Sequence, residues 1–350
     1  MSPKLNDFSV GLLVQMCLTV NELDSAADLV DAMLRKRPQD AACHAVRAFL
    51  WHRGGDARAA DESMGRARAI DAADPLVCYI AGRIAAQKGD TDEAVRQFSR
   101  TIEGLPWFRP PFGLLDKLLF PGPDYMDLLE QIHALLRPRV YLEIGVNRGK
   151  SLALSAAGEL AVGVDPNLSR CSRSSVSHAR LVEAKSDEFF ARADLHAVLE
   201  GRPVDLGFID GMHLFEYGLR DFINMERMCR AGSVILIHDV VPCVPVVGAR
   251  QRTTRTWTGD VWKVLLCLAR HRPDLDLTLV MTSPSGLAIV RNLDPSNRVL
   301  ADKLPSILDE YTAMTCPGYN YAADTGIRVI PSGHAGLASL LKPVVEARAR

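Results

Sequence analysis

The sequence has no C-x-x-C pair, no strong charge of either sign and no long apolar run, and each absence removes a class of protein. Its eight cysteines, at 17, 43, 78, 171, 229, 243, 267 and 316, are scattered singly along 350 residues. That spacing fits neither a zinc ribbon nor a disulfide framework and reads as reduced thiols, as expected of a cytoplasmic chain. With 41 basic and 42 acidic side chains the formal net charge is −1, which gives no electrostatic footing for nucleic acid as a general partner. The apolar stretch FSVGLLVQMCLTV, from Phe8, is short and preceded by Asp7. It fits neither a signal peptide nor a membrane span.

What is present is ordinary globular composition, 48% hydrophobic and 24% charged, in a chain long enough for two domains with separate cores. Three phrases recur in the first third: VNELDSAADLV from Val20, GGDARAADESM from Gly54 and KGDTDEAVRQF from Lys88. Aligned on Glu22, Asp56 and Asp90 they repeat every 34 residues, the period of a helix-turn-helix unit. Ala26, Ala60 and Ala94 follow in step, where paired helices need a small side chain to approach closely. Pro38, Ala72 and Pro106 fall at the unit ends. Over residues 7–108, with Gly82 and Phe98 also in position, the pattern resembles tetratricopeptide repeats, the first unit being degenerate as a cap often is. The resemblance implies an all-α array over 1–110, serving either as packing alone or as a surface for a protein partner.

The three prolines of LPWFRPPFG break the helical pattern and mark a linker, with a leading helix, over 111–137. From Val140 the period changes. VYLEIGV, LAVGVD, ARLVEA, VDLGFID and SVILIHDV read as buried strands alternating with helix-length segments, which predicts a mostly parallel, Rossmann-like α/β sheet. DLTLVMTS and GLAIVRN are separated by little more than Pro284 and Ser285, so they form an antiparallel hairpin, expected at one edge. The α/β domain spans 138–295. Residues 296–350 read as a helical extension that would cover a site or join a homo-oligomer interface.

The first strand runs into Glu143-Ile-Gly-Val-Asn-Arg-Gly-Lys-Ser151, at the strand end where open parallel sheets bind nucleotides. Gly145 and Gly149 allow a sharp turn and a close backbone approach. A P-loop needs four residues between its glycines and here there are three, Val146, Asn147 and Arg148; a dinucleotide fingerprint needs a middle glycine that is missing. Asp165 ends the second strand, where a carboxylate can accept both hydroxyls of a ribose. Any adenosine-containing ligand satisfies that pattern, and an acid closing a strand at a turn is the plain alternative.

Three blocks over about residues 138–295 resemble class I S-adenosylmethionine-dependent O-methyltransferases, in particular the catechol and macrocin O-methyltransferase-like groups. Glu143, Gly145, Gly149 and Ser151 match the first block. Asp210 and His213, in FIDGMH, stand where the resemblance implies a magnesium-binding acid and a catalytic base. His238 and Asp239, in GSVILIHDV, stand at its two further metal-ligand positions, where a histidine departs from the pattern. Ser186 and Asp187 fall where the resemblance implies contacts to adenine, and Asp210 also borders the cofactor. It therefore implies S-adenosylmethionine as cofactor, a divalent metal such as magnesium, and a small-molecule hydroxyl acceptor, a sugar or other secondary metabolite. Cephalosporin-hydroxylase-like proteins share much of the pattern, and a repeat scaffold with a non-catalytic methyltransferase-like half is a further alternative.

The chemistry asks for the same groups. A hydroxyl is a poor nucleophile toward a sulfonium methyl until its proton is removed or its oxygen is bound to a cation. Carboxylates at Asp210 and Asp239 suit the cation, and the imidazole of His213 suits the proton. Beyond the fifth strand, Arg250, Arg252 and Arg255 either belong to a solvated loop, as is commoner for such a run, or clamp an acidic group on the acceptor. Trp257 is a candidate to line it, and Trp262, at helical spacing, reads as core.

Overall fold

The computed structural model describes residues 23–192, 194–323 and 325–349. It divides into two compact units, Met1–Leu118 and Leu119–Arg350.

The first unit is helical: Leu23–Lys36, Ala41–Arg53, Ala57–Asp71, Pro75–Gln87 and Thr91–Gly104. Asp40 and Asp74 cap alternate helices, and Asp56 and Asp90 cap the helices between them, each carboxylate accepting backbone N–H groups that the first turn leaves free. These caps carry the 34-residue period. Ala26, Ala60 and Ala94 are all buried, and a Cβ on Gly82 would stand 2.8 Å from the ring of Phe98, so close helix approach requires small residues at these positions. The first repeat before Leu23, including Cys17 and Glu22, lies outside the described residues. Where the prolines predict a linker, Pro110–Leu119 is a helix. Pro110 and Pro111 sit in its first turn, where a missing N–H costs nothing.

The second unit is built on an eight-stranded sheet in the order β3-β2-β1-β4-β5-β7-β6-β8. The strands are β1 (Val140–Ile144), β2 (Leu160–Asp165), β3 (Arg180–Glu183), β4 (Val204–Ile209), β5 (Cys229–His238), β6 (Asp276–Met281), β7 (Leu287–Arg291) and β8 (Arg328–Pro331). The first five are parallel, β7 runs antiparallel to β5 and β6, and β8 runs parallel to β6. Two expectations are corrected here. The hairpin is not at the edge, because β8 continues the sheet beyond it, and the C-terminal extension is not wholly helical. A four-residue strand that is mostly exposed and ends in proline has no apolar alternation to announce it.

The central strands are buried on both faces, which explains their continuous apolar runs. The core joins Tyr141, Phe208 and Leu236 to Leu128 and Ile132 of the helix Tyr125–Leu136 and to Leu340 of the helix His334–Ala349. Strand order reverses between β1 and β4, and the crevice at their carboxyl ends is where such sheets bind ligands. The described cysteines are all free, and no described helix is long and apolar enough to cross a membrane.

Candidate active site

The glycine loop is shaped by contact with its neighbour strand. Gly145 has φ +95°, and a Cβ there would lie 2.1 Å from the carbonyl oxygen of Asp210. Only glycine permits β1 and β4 to close so tightly at their ends. Glu143 is fully buried and accepts hydrogen bonds from the Tyr141 and Ser151 hydroxyls, each at 2.7 Å. Burial pushes its carboxyl up to about 8, against those two bonds, which favour the ionised form. Asp165 accepts the backbone N–H of Asn147 at 2.9 Å and of Asn167 at 2.8 Å, tying the glycine loop to the turn after β2. Ser186 opens the short helix after β3. Asp187 accepts from Nε and Nη2 of Arg220, at 3.0 and 2.9 Å.

At the ends of β4 and β5, Asp210, His213 and Asp239 converge. One ligand atom from each comes within 4.8 Å of the others. His213 Nδ1 lies 2.7 Å from Asp239 Oδ2, and His213 Nε2 4.0 Å from Asp210 Oδ1. The first contact is an ion pair in distance, although Nδ1 is not aligned for a well-directed hydrogen bond. Burial alone would lower the imidazole, but the carboxylate of Asp239, with Asp210 behind it, outweighs this and raises it to about 9. Burial likewise works against the Asp239 carboxylate, and the two histidines override it, holding the group below the usual range. The hydroxyl of Ser285, from the β6–β7 turn, donates to Asp239 Oδ1.

His238 sits deeper. It is 6% exposed, its Nδ1 lies 3.2 Å from Asp210 Oδ1, and its ring stacks on Tyr125 at 4.0 Å. From sequence, His238 stands at a metal-ligand position; the side chains that converge are Asp210, His213 and Asp239, and His238 lies against Asp210 outside that set. The carboxylates of Asp210 and Asp239 fit a divalent ion such as magnesium, with the His213 imidazole beside them. Three buried polar atoms without hydrogen-bond partners, His213 Nδ1, His238 Nε2 and Asp221 Oδ1, belong to residues that line one cavity with Asp210 and Asp239.

The loop after β5 covers His213 from one side. Trp257 stacks on its ring at 5.7 Å and 15°, and a Cβ on Gly259 would meet the His213 carbonyl oxygen at 1.9 Å. Asp260 is buried and accepts from the Phe215 backbone N–H, Lys263 and Arg250. Arg250 is thereby consumed, with Glu216 as its second partner. Arg252 donates to the Arg255 carbonyl, and both arginines face solvent. Trp262 is core, as its spacing implies. Tyr125, Asp221 and Ser285 are site residues that no motif announced.

Residues 142–240 match the family described as a methyltransferase domain, Methyltransf_24. No curated protein matches the chain. Among solved structures, the chain is similar to an O-methyltransferase from Bacillus cereus in complex with SAH, at 17% identity, TM-score 0.39, over 57% of this chain and 89% of that one. It is also similar to the O-methyltransferase TomG from Streptomyces achromogenes, involved in tomaymycin synthesis and in complex with SAM, at 18% identity, TM-score 0.38, over 55% and 94%. A third is the SAH-bound methyltransferase PaMTH1 of Podospora anserina, at 15% identity, TM-score 0.37, over 57% and 88%.

Proposed function

We propose that the chain is an S-adenosylmethionine-dependent O-methyltransferase acting on a hydroxyl of a small molecule, a sugar or other secondary metabolite, with a divalent metal such as magnesium. The observation that carries this reading is the convergence of Asp210, His213 and Asp239 beside a glycine loop inside a methyltransferase domain.

S-adenosylmethionine, when bound, supplies an electrophilic methyl group on sulfonium. Gly145 and Gly149 leave the backbone open to it, Glu143 and Ser151 brace that loop, and Asp165 offers its carboxylate to the ribose hydroxyls. Ser186 and Asp187 border the adenine, and Asp210 borders the cofactor on the β4 side. A divalent ion between Asp210 and Asp239 would supply Lewis acidity to the acceptor oxygen. His213 takes the acceptor proton, and the carboxylate of Asp239 stabilises the imidazolium that forms, as a buried acid does for a catalytic histidine elsewhere. His238 fixes Asp210 from behind. Trp257 walls the acceptor side. A cytoplasmic setting accords with the free cysteines. The helical repeats are proposed as tetratricopeptide-like and as a surface for a protein partner, with homo-oligomer formation open to the same surfaces.

Calorimetric titration with S-adenosylhomocysteine tests the reading. Micromolar binding supports it, and absence of binding makes the domain a scaffold. With an acceptor in hand, a product heavier by one oxygen instead of one methyl would move the chain to the hydroxylase-like alternative.

A further inference from the structure

Asp239 is held by a residue from a distant part of the chain. The turn between β6 and β7, residues 282–286, reaches the end of β5, and there the Ser285 hydroxyl donates to Asp239 Oδ1. His213 Nδ1 lies 2.7 Å from the other oxygen, Oδ2. The two carboxylate oxygens thus have different partners, one from the β7 side and one from the β4 side. Ser285 is 2% exposed, so bulk water does not compete for its hydroxyl.

The turn that carries Ser285 is itself fixed. The Val241 N–H donates to the Ser285 carbonyl at 2.6 Å, and the Gly286 N–H donates to the Thr282 carbonyl at 2.8 Å. The Tyr125 N–H donates to the Ser283 carbonyl at 3.0 Å, and the Thr282 hydroxyl donates to the Pro123 carbonyl at 2.8 Å. Tyr125 in turn stacks on His238 at 4.0 Å. One short turn therefore braces both residues that close β5: Asp239 directly, and His238 through the start of the helix Tyr125–Leu136.

An aspartate carboxylate rotates about its last side-chain bond over a broad range. A small divalent ion demands oxygens in a fixed geometry, so a carboxylate free to rotate must be immobilised when the ion arrives. A buried hydroxyl on one oxygen immobilises it beforehand. We propose that Ser285 is a positioning residue for divalent-cation binding: its hydroxyl, held by the β6–β7 turn, fixes the carboxylate plane of Asp239 with Oδ2 turned toward His213. This role rests on the reading that a divalent ion uses Asp210 and Asp239.

The test uses the full chain and manganese(II) alone, with free manganese read by electron paramagnetic resonance. S-adenosylhomocysteine titration and thermal unfolding are measured on the same samples. Asp239→Asn locates the site and should lose most manganese binding. Ser285→Ala should bind manganese about tenfold more weakly, the scale of losing an outer-shell hydrogen bond, with S-adenosylhomocysteine affinity unchanged. Thr282→Val removes a hydroxyl of the same turn that bonds Pro123 and not Asp239, and it should keep wild-type manganese affinity. Unchanged manganese affinity in Ser285→Ala, an equal weakening in Thr282→Val, or joint loss of manganese and S-adenosylhomocysteine binding in Ser285→Ala overturns the inference. If Ser285→Ala does not fold, Ser285→Cys, similar in shape with a far weaker donor, is read in its place by the same outcomes. A wild type that binds no manganese, or an Asp239→Asn variant that binds it normally, overturns the metal reading and this inference together. Wild-type binding that Asp239→Asn abolishes and Ser285→Ala leaves untouched overturns this inference alone.

Discussion

His213 and Asp239 meet at 2.7 Å across neighbouring strand ends, and both hold a left-handed backbone, with φ of 58° and 59°. That conformation is uncommon outside glycine, although aspartate and histidine adopt it more readily than most residues. The support is visible on both sides of the pair. Gly259 brings its backbone against the His213 carbonyl and Asp260 binds the next turn, while Ser285 and the Val241 N–H to Ser285 carbonyl bond hold the turn after Asp239. The ion pair is thus assembled from two left-handed turns that separate elements hold in place.

The proton on His213 should govern rate. Held by Asp239 and Asp210, the imidazole stays charged until about pH 9, so a metal-free enzyme lacks an open base at neutral pH. Methyl transfer measured without added metal should therefore rise with pH through about 9. A divalent ion on the two carboxylates offsets the negative charge that holds the imidazolium, and the rise should move to lower pH. A metal-free profile that is flat from pH 7 to 9.5, on the order of the range a single titration spans, would remove His213 from the proton transfer.

Replacing His213 by alanine separates chemistry from binding. Turnover should fall by about 100-fold or more, the usual contribution of a positioned base, while S-adenosylhomocysteine affinity measured by calorimetry stays within about twofold. Equal loss of turnover and affinity would mean that the imidazole holds the fold of the turn instead.

Much of this site was legible in the sequence because its members close strands. Glu143 and Gly145, Asp165, Asp210 with His213, and His238 with Asp239 each follow an apolar run, and parallel strands deliver their carboxyl ends to one crevice whatever their order. Tyr125, Asp221 and Ser285 were not legible. Each lies on a helix or turn whose local pattern is ordinary, and only the sheet order and the helix packing bring them to the centre. Arg250 misled in the opposite direction. Its position after β5 suggested an acceptor contact, but Glu216 and Asp260 bind it, a pairing that depends on the fold of a long loop. β8 was missed because four residues are too few to show a period.

Glu143 predicts how stability depends on pH. Its folded-state carboxyl is raised to about 8 from an ordinary value of 4.5, chiefly by burial. Between those values the folded protein keeps a proton that the unfolded chain has released, so this group's contribution is fully present at low pH and is lost as pH rises toward 8. Glu143→Gln stays neutral in both states and should flatten that decline. Urea unfolding at pH 5, 6, 7 and 8 reads it, an order-of-magnitude spacing of one unit being sufficient for a single group. Parallel decline in both proteins would show that Glu143 is ionised in the folded state.

Gly145 provides the most demanding test of the crevice. Alanine there must adopt φ +95° and place its methyl 2.1 Å from the carbonyl oxygen of Asp210, a backbone atom that cannot swing aside. Either β1 and β4 separate at their ends or the glycine loop lifts away, and each outcome displaces Asp210 from His213 and Asp239. Gly145→Ala should therefore lose roughly 2 kcal/mol or more of stability through strain and overpacking, together with most S-adenosylhomocysteine binding. Gly232→Ala is the control, since a Cβ there meets nothing within 4 Å and its backbone is not left-handed. Thermal unfolding and titration of the two variants side by side decide the matter: equal behaviour would mean that the strand ends are not closed around the loop as described.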